Sequence, residues 1–263
     1  MKIFVTGGAG FIASAFIKFY LNIDKKAKVL NVDKLGYASN LARLKQISSH
    51  PNYSFKKINL CNKKVLEDVI NQFKPDIIVH FAAESHVDNS IEAPKVFLKS
   101  NVEGVFNLLN LLRAKIYQKP KFIHISTDEV YGDVNTEEQD KTESSILNPS
   151  NPYSASKAAA DMLIKAWART YGIEYIILRP TNNYGKYQYP EKLIPLSVKL
   201  LQRGKKIRLH DEGKPIRNWL HAEDTANAVV SIINSGKTNE IYNVAVGHRT
   251  SLLDLFKHIK ELG

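Results

Sequence analysis

The sequence predicts an α/β protein, a doubly wound parallel sheet with a smaller C-terminal substrate-binding lobe. Three observations carry this. Apolar runs of strand length alternate with helical patterns through most of the 263 residues, as expected for a parallel sheet with crossover helices. A glycine-rich stretch, Gly7-Gly8-Ala9-Gly10-Phe11-Ile12-Ala13, joins the first apolar run to the first helical pattern. The next apolar run ends on Asp33, roughly twenty residues past the glycines, the spacing of a Rossmann-type dinucleotide-binding unit.

Residues 2–6 form the first strand, and the following helix has Phe16, Ile17, Phe19, Tyr20 and Leu21 as its apolar positions. Between them the glycines let backbone approach a pyrophosphate, while the helix start offers free N–H groups and the positive end of its dipole. Ala13 fills the third small position of the motif, where only compactness is required. The strand at 28–32 delivers Asp33, whose carboxylate can accept from both ribose hydroxyls and repel a 2′-phosphate. This selects NAD over NADP, with Lys34 as the opposing charge. Residues 55–58 make a weaker third strand leading to Asn59 and Leu60. A helix over 65–73 is stopped by Pro75, and 76–83 form a strongly apolar fourth strand in which His80 reads as a core residue. Residues 94–116 read as one long helix. Its Val102, Val105, Leu108, Leu109, Leu111 and Leu112 exceed what one sheet face needs, which points to a homodimer through long helices. A fifth strand enters Ser126-Thr127-Asp128-Glu129 and ends at Tyr131-Gly132; Pro152 starts another helix, and 173–178 form the sixth strand. From Arg179 the composition turns to amides, aromatics and prolines. The chain therefore divides into a dinucleotide-binding domain over 1–178, which holds the catalytic residues, and a lobe over 179–263. Within the lobe, 196–201 and 224–233 read as helices, 217–221 and 241–244 as strands, and Ser251 as the cap of a last helix.

Hydrophobic residues make up 44% and charged residues 24%, ordinary for a globular protein with a sizeable core. The single cysteine, Cys61, excludes an internal disulfide and fits a reducing, cytoplasmic location. No apolar run reaches transmembrane length and the chain starts directly on a strand, so neither a membrane span nor a signal peptide is expected. The net charge of +11 is spread over short clusters such as Lys56-Lys57, Lys63-Lys64 and Lys205-Lys206, with no basic helix or finger. An anionic nucleotide ligand, not nucleic acid, is the partner this distribution suits. No metal is called for.

In an open α/β sheet, ligands bind outside the carboxyl ends of the strands, which puts Ser126 to Glu129 where the chemistry happens. Tyr153 and Lys157 stand four apart and share one helical face. A phenol titrates near 10, too high for a base at neutral pH, and a neighbouring ammonium lowers it. With Thr127 bonded to a substrate hydroxyl, this group can take a proton from an alcohol while NAD accepts the hydride.

On these motifs the chain resembles the extended short-chain dehydrogenase/reductase family and, within it, the nucleotide-sugar 4,6-dehydratases. The resemblance covers essentially the whole chain. It rests on Phe81-Ala82-Ala83-Glu84-Ser85-His86-Val87-Asp88, Ser126-Thr127-Asp128-Glu129-Val130-Tyr131-Gly132, Tyr153-Ser154-Ala155-Ser156-Lys157 and the segment 179–195. It implies a sugar-nucleotide substrate, dTDP-glucose or, as the close alternative, UDP-glucose, and three steps. Tyr153 deprotonates the 4-hydroxyl as hydride passes to NAD. Glu129 then removes the carbon-5 proton, acidified by the new ketone, while Asp128 protonates the departing 6-hydroxyl. Finally the hydride returns to carbon 6. The implied cofactor site is Gly7, Gly10, Phe11, Ile12, Asp33, Lys34, Asn59, Leu60, Phe81, Ala82, Ala83, Ser85, Ser100, Tyr153, Lys157 and Asn183. The implied substrate site is Ser85, Thr127, Asn182, Lys192, Leu193, His210, Arg217 and Asn243. Three residues depart from the family's usual pattern. Ala13 replaces a glycine, Asn59 an aspartate that meets adenine, and His210 a tyrosine near the base, which leaves dTDP against UDP open. The chain also stops short of the family's usual C-terminus. A sugar-nucleotide 4-epimerase would share the redox residues without needing Asp128 and Glu129, and a non-catalytic NAD-binding subunit would need none of them.

Overall fold

The computed structural model describes residues 1–114, 120–133, 140–207, 213, 216–247 and 249–261. The chain opens with β1 (Lys2–Thr6), α1 (Phe11–Ile23), β2 (Lys28–Asp33), β3 (Tyr53–Lys57), α2 (Lys63–Phe73) and β4 (Ile77–His80). A run of helix follows: α3 (Val87–Glu92), α4 (Pro94–Phe97) and α5 (Gly104–Arg113). Next come β5 (Lys121–Ile125), α6 (Pro152–Tyr171), β6 (Tyr175–Pro180), β7 (Asn182–Tyr184), α7 (Leu193–Gln202) and β8 (Ile216–His221). The described chain closes with α8 (Ala222–Ser235), β9 (Glu240–Val244), β10 (Arg249–Ser251) and α9 (Leu252–Glu261).

Seven strands form one sheet in the order β3-β2-β1-β4-β5-β6-β9, every neighbouring pair parallel. Strand periodicity sorts the core into two layers. Ile3 and Val5 of β1 face one side, with Phe16 and Ile17 of α1 and Val229 and Ile233 of α8. Phe4 faces the other, with Leu66 and Ile70 of α2, Leu108 and Leu109 of α5 and Ile164 of α6. Alternate residues thus bury on opposite faces, which is why these strands read as continuous apolar runs instead of half-polar ones. The strand order reverses between β1 and β4, and the crevice at their carboxyl ends is the ligand position of a doubly wound sheet.

The seventh strand comes from residues the sequence assigned to the lobe. β9 pairs with β6, and α8 buries Ala226, Val229, Val230 and Ile233 against the α1 side of the core. A break at 178 therefore does not mark the edge of the sheet domain; composition changed there because a ligand-facing excursion begins, and the chain later returns. What stands apart from the main sheet is a three-stranded sheet, β10-β8-β7, with α7 and α9.

Two further expectations change in detail. The fourth strand stops at His80, short of Ala83: past it Ala82 N donates to Thr6 Oγ1 at 3.3 Å, and Asn101 Oδ1 accepts from Glu84 N at 2.8 Å while its Nδ2 donates to Glu84 O at 3.0 Å. The single long helix is instead two α segments joined by a π-helical stretch over Leu98–Glu103. Within that stretch Ser100 accepts from Lys34 Nζ at 2.8 Å, while the next residue, Asn101, also donates to Ser156 Oγ at 2.8 Å. The wider turn lets consecutive residues serve the site, as π segments often do.

Gly7 holds a left-handed φ of 72°, and a Cβ there would lie 2.6 Å from Ala82 N and Cα. Gly7→Ala is therefore expected to lower stability by about 2–4 kcal/mol, the strain of the backbone plus the clash. Among the described residues nothing lies within 4 Å of a methyl added at Gly247, so Gly247→Ala should stay within about 0.5 kcal/mol of the parent. Urea midpoints measure both.

Candidate active site

A cavity of about 390 Å³ opens along the carboxyl ends of the strands. Its wall takes in every residue of the expected cofactor set: Gly7, Gly10, Phe11, Ile12, Asp33, Lys34, Asn59, Leu60, Phe81, Ala82, Ala83, Ser85, Ser100, Tyr153, Lys157 and Asn183. It also takes in Thr127, Glu129, Asn182, Lys192 and Leu193 of the expected catalytic and substrate residues.

The dinucleotide end suits the group the motifs call for. Gly10 begins α1 with no side-chain cap, and the first turn carries no acidic residue, so the N–H groups at the helix start face the cavity without an internal acceptor. Asp33 is 5% exposed at the end of β2. One of its oxygens accepts from Ala9 N at 3.0 Å; the other accepts from Leu35 N at 2.7 Å and Ser39 Oγ at 3.1 Å. A carboxylate has about four acceptor sites, which leaves Asp33 about one for a ribose instead of the two expected. The carboxylate braces the glycine turn as well as facing the ligand. Lys34, the charge that opposed a choice of NAD, is spoken for: its Nζ sits 2.6 Å from Glu84 and 2.8 Å from Ser100 Oγ.

The reactive end is built where β5 stops. Thr127 keeps extended backbone and its Oγ1 accepts from Glu129 N at 3.3 Å, capping a 3-10 turn over Asp128–Tyr131. That turn breaks strand alternation, so two consecutive carboxylates need not point to opposite faces. Burial and the charge of Glu129 raise Asp128 to about 7. Glu129 is also raised by burial, an effect opposed by a hydrogen bond from Asn151 and the charges of Lys192 and Arg217. Tyr153 and Lys157 project from the first turns of α6, which is fixed by Pro152 and by a reciprocal cap between Asn151 and Ser154.

Lys157 does not lower the Tyr153 phenol as expected. Its ammonium donates to Ile125 O at 2.6 Å and lies 3.3 Å from His124 Nε2. Burial pushes Lys157 down to about 8, and burial with the Glu129 charge pushes the Tyr153 phenol above its ordinary value. Tyr153 is therefore protonated in this state and bonded to the Thr127 side chain.

Three of the expected residues that are described fall outside the cavity wall. Asp128 lies beside it, next to Thr127. Arg217 is on β8 and donates to Ile216 O at 2.9 Å. Asn243 turns inward, where its Oδ1 accepts from Tyr131 Oη at 2.7 Å. His210 lies outside the described residues. Conversely, sequence reasoning missed Arg43, Tyr37, Tyr189 and Trp219, all in the wall. The stretch holding Tyr37 and Arg43 carries no strand or helix periodicity. Its one local signal is Asn40, whose side chain accepts from Ala42 N at 2.9 Å and starts a 3-10 turn over Leu41–Ile47.

The sequence profile of the "NAD dependent epimerase/dehydratase family" matches residues 3–245. The dTDP-glucose 4,6-dehydratase of Neisseria meningitidis serogroup B is 43% identical, over 98% of this chain and 74% of its own length. The crystal structure of dTDP-glucose 4,6-dehydratase from Bacillus anthracis in complex with NAD superposes with a TM-score of 0.92 at 41% identity, covering 100% of this chain and 81% of that one. The Streptomyces venezuelae dTDP-glucose 4,6-dehydratase, crystallised with NAD bound, gives a TM-score of 0.93 at 38% identity over 99% of this chain and 80% of that one. With a match that runs through the glycine turn, the Asp128–Glu129 turn and the Tyr153–Lys157 helix, the chain belongs to the NAD-dependent epimerase/dehydratase family.

Proposed function

We propose that this chain is a hydro-lyase that uses NAD to oxidise the 4-hydroxyl of dTDP-glucose, eliminates water across carbons 5 and 6, and returns the hydride to carbon 6. The observation that carries the reading is the placing of Asp128 and Glu129 on one turn beside Tyr153, with burial raising both carboxyls and bringing Asp128 to about 7. A 4-epimerase has no step that needs this pair, and a binding subunit would have no use for two carboxylates held against burial. The relatives named for this activity support the choice of dTDP-glucose.

When bound, NAD supplies the hydride acceptor and the positive charge that a raised Tyr153 phenol needs in order to lose its proton. Asp33, Gly7 and Gly10 hold its adenosine and pyrophosphate, and Lys157 and Asn183 the nicotinamide side. Thr127 aligns the 4-hydroxyl with Tyr153. Glu129, in the wall, takes the carbon-5 proton; Asp128, protonated up to about pH 7, gives one to the leaving hydroxyl. Lys192 and Leu193 at the start of α7 flank the nucleotide diphosphate, with Asn182, Ser85, His210 and Arg217 completing the substrate set. The carbonyl of Ser85 accepts from Lys192 Nζ at 3.2 Å, an arrangement that a diphosphate can replace.

A cytoplasmic homodimer completes the reading. Among the described residues no helix is long and apolar enough to cross a membrane. Most apolar positions of α5 serve the chain's own core, including Val105, Leu108, Leu109 and Leu112. Adjoining helices nevertheless expose Ile91 (63%), Leu98 (56%) and Phe106 (40%), and on α6 Met162 (44%), a surface suited to a second copy. Light scattering should return twice the 29.7 kDa chain mass, and Leu98→Asp with Phe106→Asp should halve it.

Isotope transfer tests the reaction. Substrate deuterated at carbon 4 should give product deuterated at carbon 6, and in heavy water carbon 5 should take up solvent deuterium. Glu129→Gln should still form NADH yet lose elimination by about a hundredfold or more. Return of the label to carbon 4 with inverted configuration would mean an epimerase.

The pH profile of the elimination step tests the acid. Asp128 donates only when protonated, so the rate should fall up to tenfold per unit above about pH 7, while protonation of the Glu129 base brings a separate fall on the acid side. Asp128→Asn should slow elimination about a hundredfold and abolish that alkaline limb, leaving on the alkaline side only the fall that deprotonation of Lys157 brings near pH 8. A parent limb retained in Asp128→Asn would assign the proton to another group.

A further inference from the structure

Arg43 joins three segments that lie far apart in sequence. It is 6% exposed. Its Nη1 donates to Ala9 O at 2.9 Å, inside the glycine turn, and to Ala38 O at 2.6 Å, in the loop after β2. Its Nε donates to Tyr187 O at 3.0 Å, in the loop between β7 and α7. Two of these three carbonyls belong to non-glycine residues in the left-handed region, Ala38 at φ 61° and Tyr187 at φ 72°. Such conformations persist only where surrounding contacts outweigh their cost. Here the contact is a buried cation.

The same two loops meet again at Tyr37, whose hydroxyl donates to Glu191 and whose ring lies 5.1 Å from that of Tyr189. Lys18 Nζ stands 5.1 Å from the Tyr187 ring centroid, tying the second loop to α1. Among the described residues no hydrogen-bond partner engages Arg43 Nη2, while Arg43 itself lines the cavity beside Asp33 and Ser39. A guanidinium whose other donors are fixed on carbonyls, with donors left at the wall of a site for a dinucleotide, suits an anionic oxygen there.

We propose that Arg43 is a cofactor-positioning residue: a clasp that holds the glycine turn, the loop after β2 and the loop before α7 closed over bound NAD and thereby limits its exchange. The inference rests on the NAD-dependent reading above. Release of the cofactor requires the loop before α7 to part from the loop after β2, and Arg43 is the buried group that spans them. Because the proposed reaction regenerates NAD within each turnover, slow exchange costs the cycle nothing. The same loop leads into Lys192 and Leu193, so the clasp also links cofactor retention to the substrate side of the cleft.

The test is exchange of bound NAD for isotopically labelled NAD in the full chain, read by mass spectrometry after rapid filtration. Arg43→Met keeps the length of the side chain and removes its donors; it should exchange about tenfold faster than the parent. Tyr37→Phe, at a position 43% exposed, removes only the hydroxyl bridge to Glu191 and should exchange about threefold faster. Where Arg43→Met melts within a few degrees of the parent, its rate decides; where it fails to fold, Tyr37→Phe decides. A rate within twofold of the parent in the deciding variant overturns the clasp. A parent that takes up no NAD overturns the cofactor reading, and the clasp falls with it.

Discussion

A buried ion pair between β6 and α6 fixes everything the site needs. Arg179 is 1% exposed and Asp161 is 0% exposed, and Arg179 Nε donates to Asp161 Oδ2 at 3.0 Å. A buried pair of charges costs least where further hydrogen bonds engage its groups, as they do for Arg179. Arg179 Nη1 donates to Tyr131 Oη at 2.7 Å, and that hydroxyl donates to Asn243 Oδ1 at 2.7 Å. The chain of contacts runs from α6, which carries Tyr153 and Lys157, through β6 to the end of the turn that carries Asp128 and Glu129, and on to β9. Removing one partner of a buried pair typically costs about 3–5 kcal/mol, since it strands the other charge. The relative position of α6 and the carboxylate turn therefore depends on electrostatics in the core as much as on apolar packing.

The same burial sets the chemistry. Away from water each charged form is disfavoured, so acids titrate high and bases low. Asp128 moves up to about 7 and Lys157 down to about 8, which brings a carboxyl and an ammonium, ordinarily far apart, to within reach of one another near neutral pH. His80 and His124, stacked 5.2 Å apart beneath Lys157, are held neutral by burial and by its charge. Lys157 thus keeps its proton against two imidazoles that do not compete for it. Low-dielectric surroundings of this kind are where proton donors and acceptors are tuned for use at neutral pH.

What was legible in the sequence is what obeys local rules. Short apolar runs buried on both faces mark β1, β4 and β5, and the Gly7–Gly10 turn with Asp33 at the end of β2 announces the crevice. Tyr153 and Lys157 follow from helical spacing and Pro152 from helix starts. The rest depends on contacts between distant residues. Nothing near Asn243 indicates that Tyr131 will take its side chain, so a polar residue read as ligand-facing is part of the core network. Nothing near Arg43 indicates that its acceptors lie on Ala9, Ala38 and Tyr187. The π stretch at Leu98–Glu103 sits inside unbroken helical periodicity, and only its bonds to Glu84 and Ser156 account for it. Lys157 keeps to Ile125 O instead of Tyr153, a contact between α6 and the end of β5 that helical spacing does not show.

The least local feature, the return of β9, explains how a small lobe can be held accurately over the cleft. Arg179 pairs with Asn243 and Pro180 with Val244 across adjacent parallel strands, and Thr181 N donates to Val244 O at 3.0 Å. The excursion that leaves the sheet after β6 and comes back along β9 therefore has both ends in register on one edge. Between them, β7 and β8 pair Asn182 with Trp219 and Asn183 with Leu220, while Asn183 Oδ1 accepts from Thr225 Oγ1 at 2.6 Å on α8. An insertion clamped at both ends loses less freedom on ordering than one tethered at a single end. Lys192 and Leu193 can then sit on connecting segments and still face the carboxylates at a fixed distance. The sheet thus supplies the precision, and the excursion supplies residues that a sheet edge cannot present.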